Sequence, residues 1–108
     1  MKKFDALKEY INIKNVIKIR AYGKSMLPAI KEGDTITINK NIDNLKYGDI
    51  ILYYNPSNQD DIYVLHRIIS SVKDNMFLTK GDNNRYVDQP VRKSYIIGKA
   101  ILIIPKKE

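Results

Sequence analysis

The chain has 108 residues, enough for one modest core, with 44% hydrophobic and 29% charged residues, which excludes a disordered or collagenous chain. It has no cysteine and one histidine, which excludes disulfide staples, a cysteine nucleophile and an all-protein zinc site of the usual kind. Nineteen Lys and Arg against twelve Asp and Glu give +7. That balance suits either a lysine-rich solvated surface or contact with an anionic partner, but no basic run is interleaved with aromatics, so no specific nucleic-acid partner is expected.

The elements follow in chain order. Lys2 to Asn12 sets Phe4, Leu7 and Ile11 at helical spacing, which predicts a leading helix facing the core, or a peripheral helix touching a membrane or partner. Charged and polar residues interrupt this segment, so it is no signal peptide. The apolar runs, such as Ile101 to Ile104, are too short to span a bilayer, and the expectation is a soluble, cytoplasmic chain. Asn15 to Tyr22 alternates apolar and polar and predicts a half-buried strand ending at Gly23. A turn carrying Ser25 and Pro28 follows, and Asp34 to Asn39 alternates again. Gly48-Asp49 turns into the apolar strand Ile50 to Tyr54, and Asn55 to Asp60 has the chemistry of a loop. Ile62 to Ile69 predicts a buried strand broken by His66 and Arg67, and Lys73-Asp74-Asn75 a hairpin into Met76 to Thr79. Gly81 to Arg92 is irregular, and Tyr95 to Ile103 is a final strand whose Gly98 marks a bulge or a close backbone approach. The chain is therefore mainly β, a single domain over 1–108 with a helix at 1–14 and a compact β core at 15–108.

A serine hydroxyl needs a base within hydrogen-bond reach to act as a nucleophile, and His66 is the one imidazole present. On a strand, His66 shares a face with Ile62, Val64 and Ile68, as either a satisfied core histidine or a base in a dry site. Asp82 and Asp88 are each candidates to orient the ring. Arg67 reads either as a partner of Asp82 or as a solvated strand-end charge.

These residues carry a resemblance. Gly23-x-Ser25-Met26-x-Pro28 with Gly33-Asp34 resembles the nucleophile box of signal-peptidase-type serine proteases. Lys46-x-Gly48-Asp49-Ile50 resembles their structural box, Leu65-His66-Arg67-Ile68 their general-base box, and Phe77 to Asn84 through Asp88 their acidic box. The four boxes occur in the right order and run from about Val16 to Ile103. Typical bacterial signal peptidases and self-cleaving repressors pair the serine with lysine. His66-Arg67 is similar to the histidine type found in the endoplasmic reticulum and archaea.

The resemblance implies Ser25 as nucleophile, His66 as general base, Asp88 as third catalytic residue and Asp82 as acidic support. It implies hydrolysis of a leader or precursor peptide through an acyl-enzyme, with no cofactor or metal and with the Ser25 N–H stabilising the oxyanion. The substrate would bind extended, with small residues near the cut, and Met26 and Leu27 would line its pocket. The family's membrane enzymes carry a transmembrane anchor before the serine box, and here only the Lys2–Asn12 helix stands there. Peripheral membrane contact or a membrane-protein partner is the corresponding expectation. Gly23 stands where signal peptidases commonly have a serine, which implies an oxyanion hole of backbone donors. The alternative is a non-catalytic peptide-binding or dimerisation domain of self-cleaving-regulator type. The Ala-Gly-like scissile bond such a regulator carries upstream of its serine is missing before Ser25.

Overall fold

A computed structural model describes residues 3–56 and 61–107. Helix α1 spans Lys3–Lys14 and is followed by strands β1 (Val16–Arg20), β2 (Thr35–Asn39), β3 (Ile50–Pro56), β4 (Asp61–Val72), β5 (Met76–Lys80) and β6 (Val91–Arg92). A single 3-10 turn, Lys93–Tyr95, leads into β7 (Ile96–Ile104). The fold is mainly β with one short helix, as the sequence patterns predict. α1 runs two residues beyond Asn12, and β3 runs to Pro56 into the expected loop. The remainder of that loop, residues 57–60, together with Lys2 and the Ile62 side chain, lies outside what is described.

Seven strands form one sheet in the order β1-β2-β7-β3-β4-β5-β6, with every neighbouring pair antiparallel. β3 shows why the sheet is covered on both faces. Its Ile50-Ile51-Leu52-Tyr53 is buried throughout, and a period of two sends alternate side chains to opposite sides. Ile50 and Leu52 join one apolar cluster with Ile11, Ile17, Met26, Ile36 and Ile38. Ile51 and Tyr53 join the other, with Ile68, Phe77, Val91 and Ile96. α1 closes the first cluster through Leu7 and Ile11. Phe4 adds a stacked contact on Tyr54 with ring centroids 4.6 Å apart, a separation within the range in which aromatic pairs attract.

Both readings of Gly98 hold. A Cβ there would stand 2.5 Å from the Asn39 carbonyl and 2.6 Å from the Ile38 Cγ2. The β3–β7 register also shifts between Leu52 and Tyr53, beside Gly98. At the β4–β5 hairpin, Asp74 and Asn75 take φ of 65° and 57°, a left-handed conformation that these two side chains tolerate better than most.

Candidate active site

The Ser25 segment is the connection between β1 and β2. The ladder continues one step past β1: the Ala21 N–H donates to the Asp34 carbonyl at 2.9 Å, and the Gly33 N–H to the Ala21 carbonyl at 2.9 Å. Gly23, at φ +79°, turns the chain out of the strand line, a conformation that costs a glycine little. Glu32 Oε1 accepts its N–H at 3.0 Å. Asp34 closes the base of the loop by accepting the N–H groups of Lys31 at 2.8 Å and Lys106 at 3.0 Å. These backbone donors hold the Asp34 carboxyl below its ordinary value. Met26 is buried at 5% exposure and anchors the turn in the first cluster.

His66 arrives from β4, paired opposite Ile51 of β3. Its Nε2 lies 3.1 Å from Ser25 Oγ, and its Nδ1 lies 2.6 Å from Asp88 Oδ2. A carboxylate only accepts, so Nδ1 carries the proton and Nε2 is left to accept from the serine hydroxyl. His66 is buried, with 8% exposure. Asp88 reaches it because its N–H donates to the Thr79 carbonyl at 2.8 Å, which lays the acidic loop along the end of β5. Sequence reasoning missed two further side chains at this carboxylate. Thr79 Oγ1 donates to Asp88 Oδ2 at 2.7 Å, and the Tyr53 hydroxyl donates to the same oxygen at 3.2 Å. Burial first, and then the charge of Asp88, push the Tyr53 phenol up to about 12 despite the opposing Thr79 contact. Strand alternation was the available signal. It puts Tyr53 on the Ile51 face of β3 and Thr79 on the Phe77 face of β5, so each carries a hydroxyl into an otherwise apolar cluster.

Asp82 does not touch the imidazole. It takes a two-point pair from Arg67, Nε to Oδ1 at 2.9 Å and Nη2 to Oδ2 at 2.8 Å, while Arg67 Nη1 donates to the Gly48 carbonyl at 2.8 Å. Of the two readings of Arg67, the paired one holds. The hydrogen bonds from Arg67 are the main reason the Asp82 carboxyl is held below its ordinary range. The acidic loop also grips the serine turn. The Asn83 N–H donates to the Ser25 carbonyl at 2.8 Å, Asn83 Nδ2 to the Lys24 carbonyl at 3.1 Å, and the Asp82 N–H contacts Met26 Sδ at 3.4 Å.

A cavity of about 470 Å³ opens beside Ser25 and His66. Consecutive residues from two strand regions line it, Ile19 to Gly23 on one side and Tyr63 to His66 on the other, with Leu7, Met26, Ile30 and Leu52 behind. Consecutive lining residues present a strand edge rather than one face. β1 pairs only with β2, and β5 pairs β4 only from Arg67 onward, so both lining segments have an edge that no described strand occupies. Of the two pocket residues the sequence pointed to, Met26 lines this cavity and Leu27 does not. Among the described residues, no group of His, Cys, Asp and Glu is arranged to hold a metal, and no helix is long and apolar enough to cross a membrane.

A hydroxyl, an imidazole and a carboxylate hydrogen-bonded in one line, beside an open groove, is the arrangement that serine peptidases use for acyl transfer. The chain belongs to the Peptidase S24-like family, whose model matches residues 2–101. It is also 27% identical to the signal peptidase complex catalytic subunit SEC11 of Ogataea parapolymorpha, over 75% of this chain. The match spans 57% of that relative's length. No solved structure matches the chain significantly. At the level of family, then, the chain is signal peptidase I-like.

Proposed function

We propose that the chain is a serine endopeptidase that cuts a leader or precursor peptide, with Ser25 as nucleophile, His66 as general base and Asp88 as the residue that orients and steadies the imidazole. The observation that carries this reading is the unbroken line from Ser25 Oγ to His66 at 3.1 Å and on to Asp88 at 2.6 Å. Ser25 Oγ attacks the scissile carbonyl as its proton passes to His66 Nε2. The imidazolium, held by Asp88, then returns that proton to the leaving amine. Water attacks the acyl-serine by the same route in reverse. The oxyanion is met by backbone, with the Ser25 N–H as donor. Such a donor contributes about 3 kcal/mol of transition-state stabilisation. The Gly23 N–H is already given to Glu32, so it fixes the turn instead.

The two strand edges along the cavity that no described strand occupies support an extended substrate, bound by main-chain hydrogen bonds between residues 20–22 and 64–66. Met26 sits in the wall of that groove and favours small side chains near the cut. Asp82 acts at one remove, through Arg67 and through the grip of its loop on the serine turn. Work at a membrane surface, beside a membrane-protein partner, fits the basic balance of the chain and the complex named for its relative.

The test is cleavage of a synthetic leader peptide with alanine before the cut, followed by mass spectrometry. The native chain is expected to cut at one bond, and Ser25→Ala and His66→Ala to lose at least about a hundredfold in kcat/KM. Equal rates for native and Ser25→Ala would remove Ser25 from the mechanism. Binding without turnover in every variant would assign the groove to a peptide-binding domain.

A further inference from the structure

We propose that Tyr53 and Thr79 are positioning residues for the serine–histidine pair, two buried hydroxyls that hold Asp88 by the same oxygen that receives His66. The inference rests on the peptidase reading and extends it to the groups behind the carboxylate. Three donors converge on Asp88 Oδ2: His66 Nδ1 at 2.6 Å, Thr79 Oγ1 at 2.7 Å and the Tyr53 hydroxyl at 3.2 Å. The two hydroxyls are themselves 3.4 Å apart. Thr79 is 0% exposed and Tyr53 4%.

Packing alone does not call for either hydroxyl. Tyr53 lies among Ile51, Ile68, Phe77, Val91 and Ile96, surroundings in which a phenylalanine ring would bury the same carbon surface without a polar atom to satisfy. Thr79 pairs with Ile68, two residues beyond His66 on the same face of β4, where valine has the same shape. What each hydroxyl adds is one proton aimed at one carboxylate oxygen. A phenol raised to about 12 keeps that proton through the whole range in which an imidazole base works.

The hydroxyls do two things to the His66 side. They fix the rotation of the carboxylate of Asp88, a residue whose backbone N–H is already tied to β5, so that Oδ2 stays on Nδ1 and the ring keeps the tautomer that leaves Nε2 for Ser25. They also spread the carboxylate charge over three donors, which weakens its pull on the imidazolium. The charged groups near His66 are Asp88, Asp82 from the same loop, and Arg67 beside it on β4, which is paired with Asp82. Asp88 is the one in contact with the ring, so a change in its hydrogen bonding reaches the imidazole directly.

His66 is the chain's only histidine, so its ring nitrogens give unambiguous signals in nitrogen NMR whether or not the protein cuts a peptide. Tyr53→Phe and Thr79→Val are each expected to move the imidazole titration upward by about half a pH unit relative to the native chain, because the carboxylate left with fewer donors holds the imidazolium more tightly. The acid limb of kcat/KM should move by the same amount, with kcat lower by roughly tenfold and KM unchanged. Thr79→Ser restores the hydroxyl and should restore both. Phe77→Leu, in the same cluster, should lower the melting temperature and leave the imidazole titration in place. A His66 titration and tautomer that match the native chain in Tyr53→Phe overturn the proposal, and that isosteric variant decides the matter if Thr79→Val does not fold. Shifted titrations in a chain that cuts no peptide would uphold the hydroxyl pair and overturn the peptidase reading alone.

Discussion

Gly81 is a point of close approach between the acidic loop and the serine turn, and Gly81→Ala tests whether that approach sets the geometry of the site. Its φ is not in the left-handed region, so alanine is allowed there by the backbone, and any cost comes from space. The added Cβ would lie 2.7 Å from the Ser25 carbonyl oxygen, 2.6 Å from Asn84 Nδ2 and 3.0 Å from Asn84 Cγ. Ordinary contact begins near 3.4 Å, so one side must retreat by about 0.7 Å. Asn84 can rotate away. The Ser25 carbonyl cannot move alone, because it accepts the Asn83 N–H from the same loop at 2.8 Å.

If the serine turn retreats, Ser25 Oγ moves from 3.1 Å to as much as about 3.8 Å from His66 Nε2, beyond hydrogen-bond reach. If the loop retreats, it pulls on the segment that carries Asp88 and on its 2.6 Å contact to Nδ1. Either way the line is strained. Overpacking of this kind costs about 2 kcal/mol, or about 10 °C in melting temperature for a chain of this size. A displacement of most of an ångström at the reacting atoms costs about a hundredfold in rate. The assays are thermal unfolding and leader-peptide cleavage. Gly81→Ala/Asn84→Ala, which removes the side-chain clash and keeps the carbonyl one, should recover stability in part and activity hardly at all. Full activity in the double variant would trace the effect to Asn84, and full activity in Gly81→Ala itself would refute the reasoning.

Four other outcomes are expected. Arg67→Lys keeps the charge but not the two-point pair on Asp82 or the Gly48 contact, so cleavage should fall by about tenfold with a smaller change in melting temperature. Asp82 and Asp34 both have carboxyls held below their ordinary values. Their contribution is present above the unfolded value and is lost as pH falls through the folded one, so Asp34→Asn should flatten the loss of stability measured by unfolding below about pH 4. Ile36→Ala, at a position with 0% exposure in the first cluster, should cost about 3 kcal/mol in denaturant unfolding. Gly98→Ala should destabilise the sheet by about 2 kcal/mol in the same assay, since its Cβ meets the Asn39 backbone at 2.5 Å.

What could be read from the residues follows the range of the physics. Strand alternation and turn chemistry act over a few positions, so β1, β2, the Asp74-Asn75 hairpin and the bulge at Gly98 were all legible. Ser25 and His66 were legible because a glycine-led serine turn and a lone imidazole are uncommon chemistry, and the four boxes tied them together. Local pattern cannot decide which carboxylate meets the ring. Asp82 and Asp88 lie in one irregular loop, and the choice is made by two contacts from outside it, Arg67 taking Asp82 and the Thr79 carbonyl taking the Asp88 N–H. The same limit hid Tyr53 and Thr79. In the sequence each looks like an ordinary β-former, the one in an apolar run and the other at the end of a strand. Their common purpose exists only where β3 and β5, on either side of β4, both turn a hydroxyl toward the loop that carries Asp88. A centre assembled this way depends on sheet register as much as on its reacting groups. A one-residue slip of β3 against β4 would keep every box of the sequence intact and still take the Tyr53 hydroxyl to the other face.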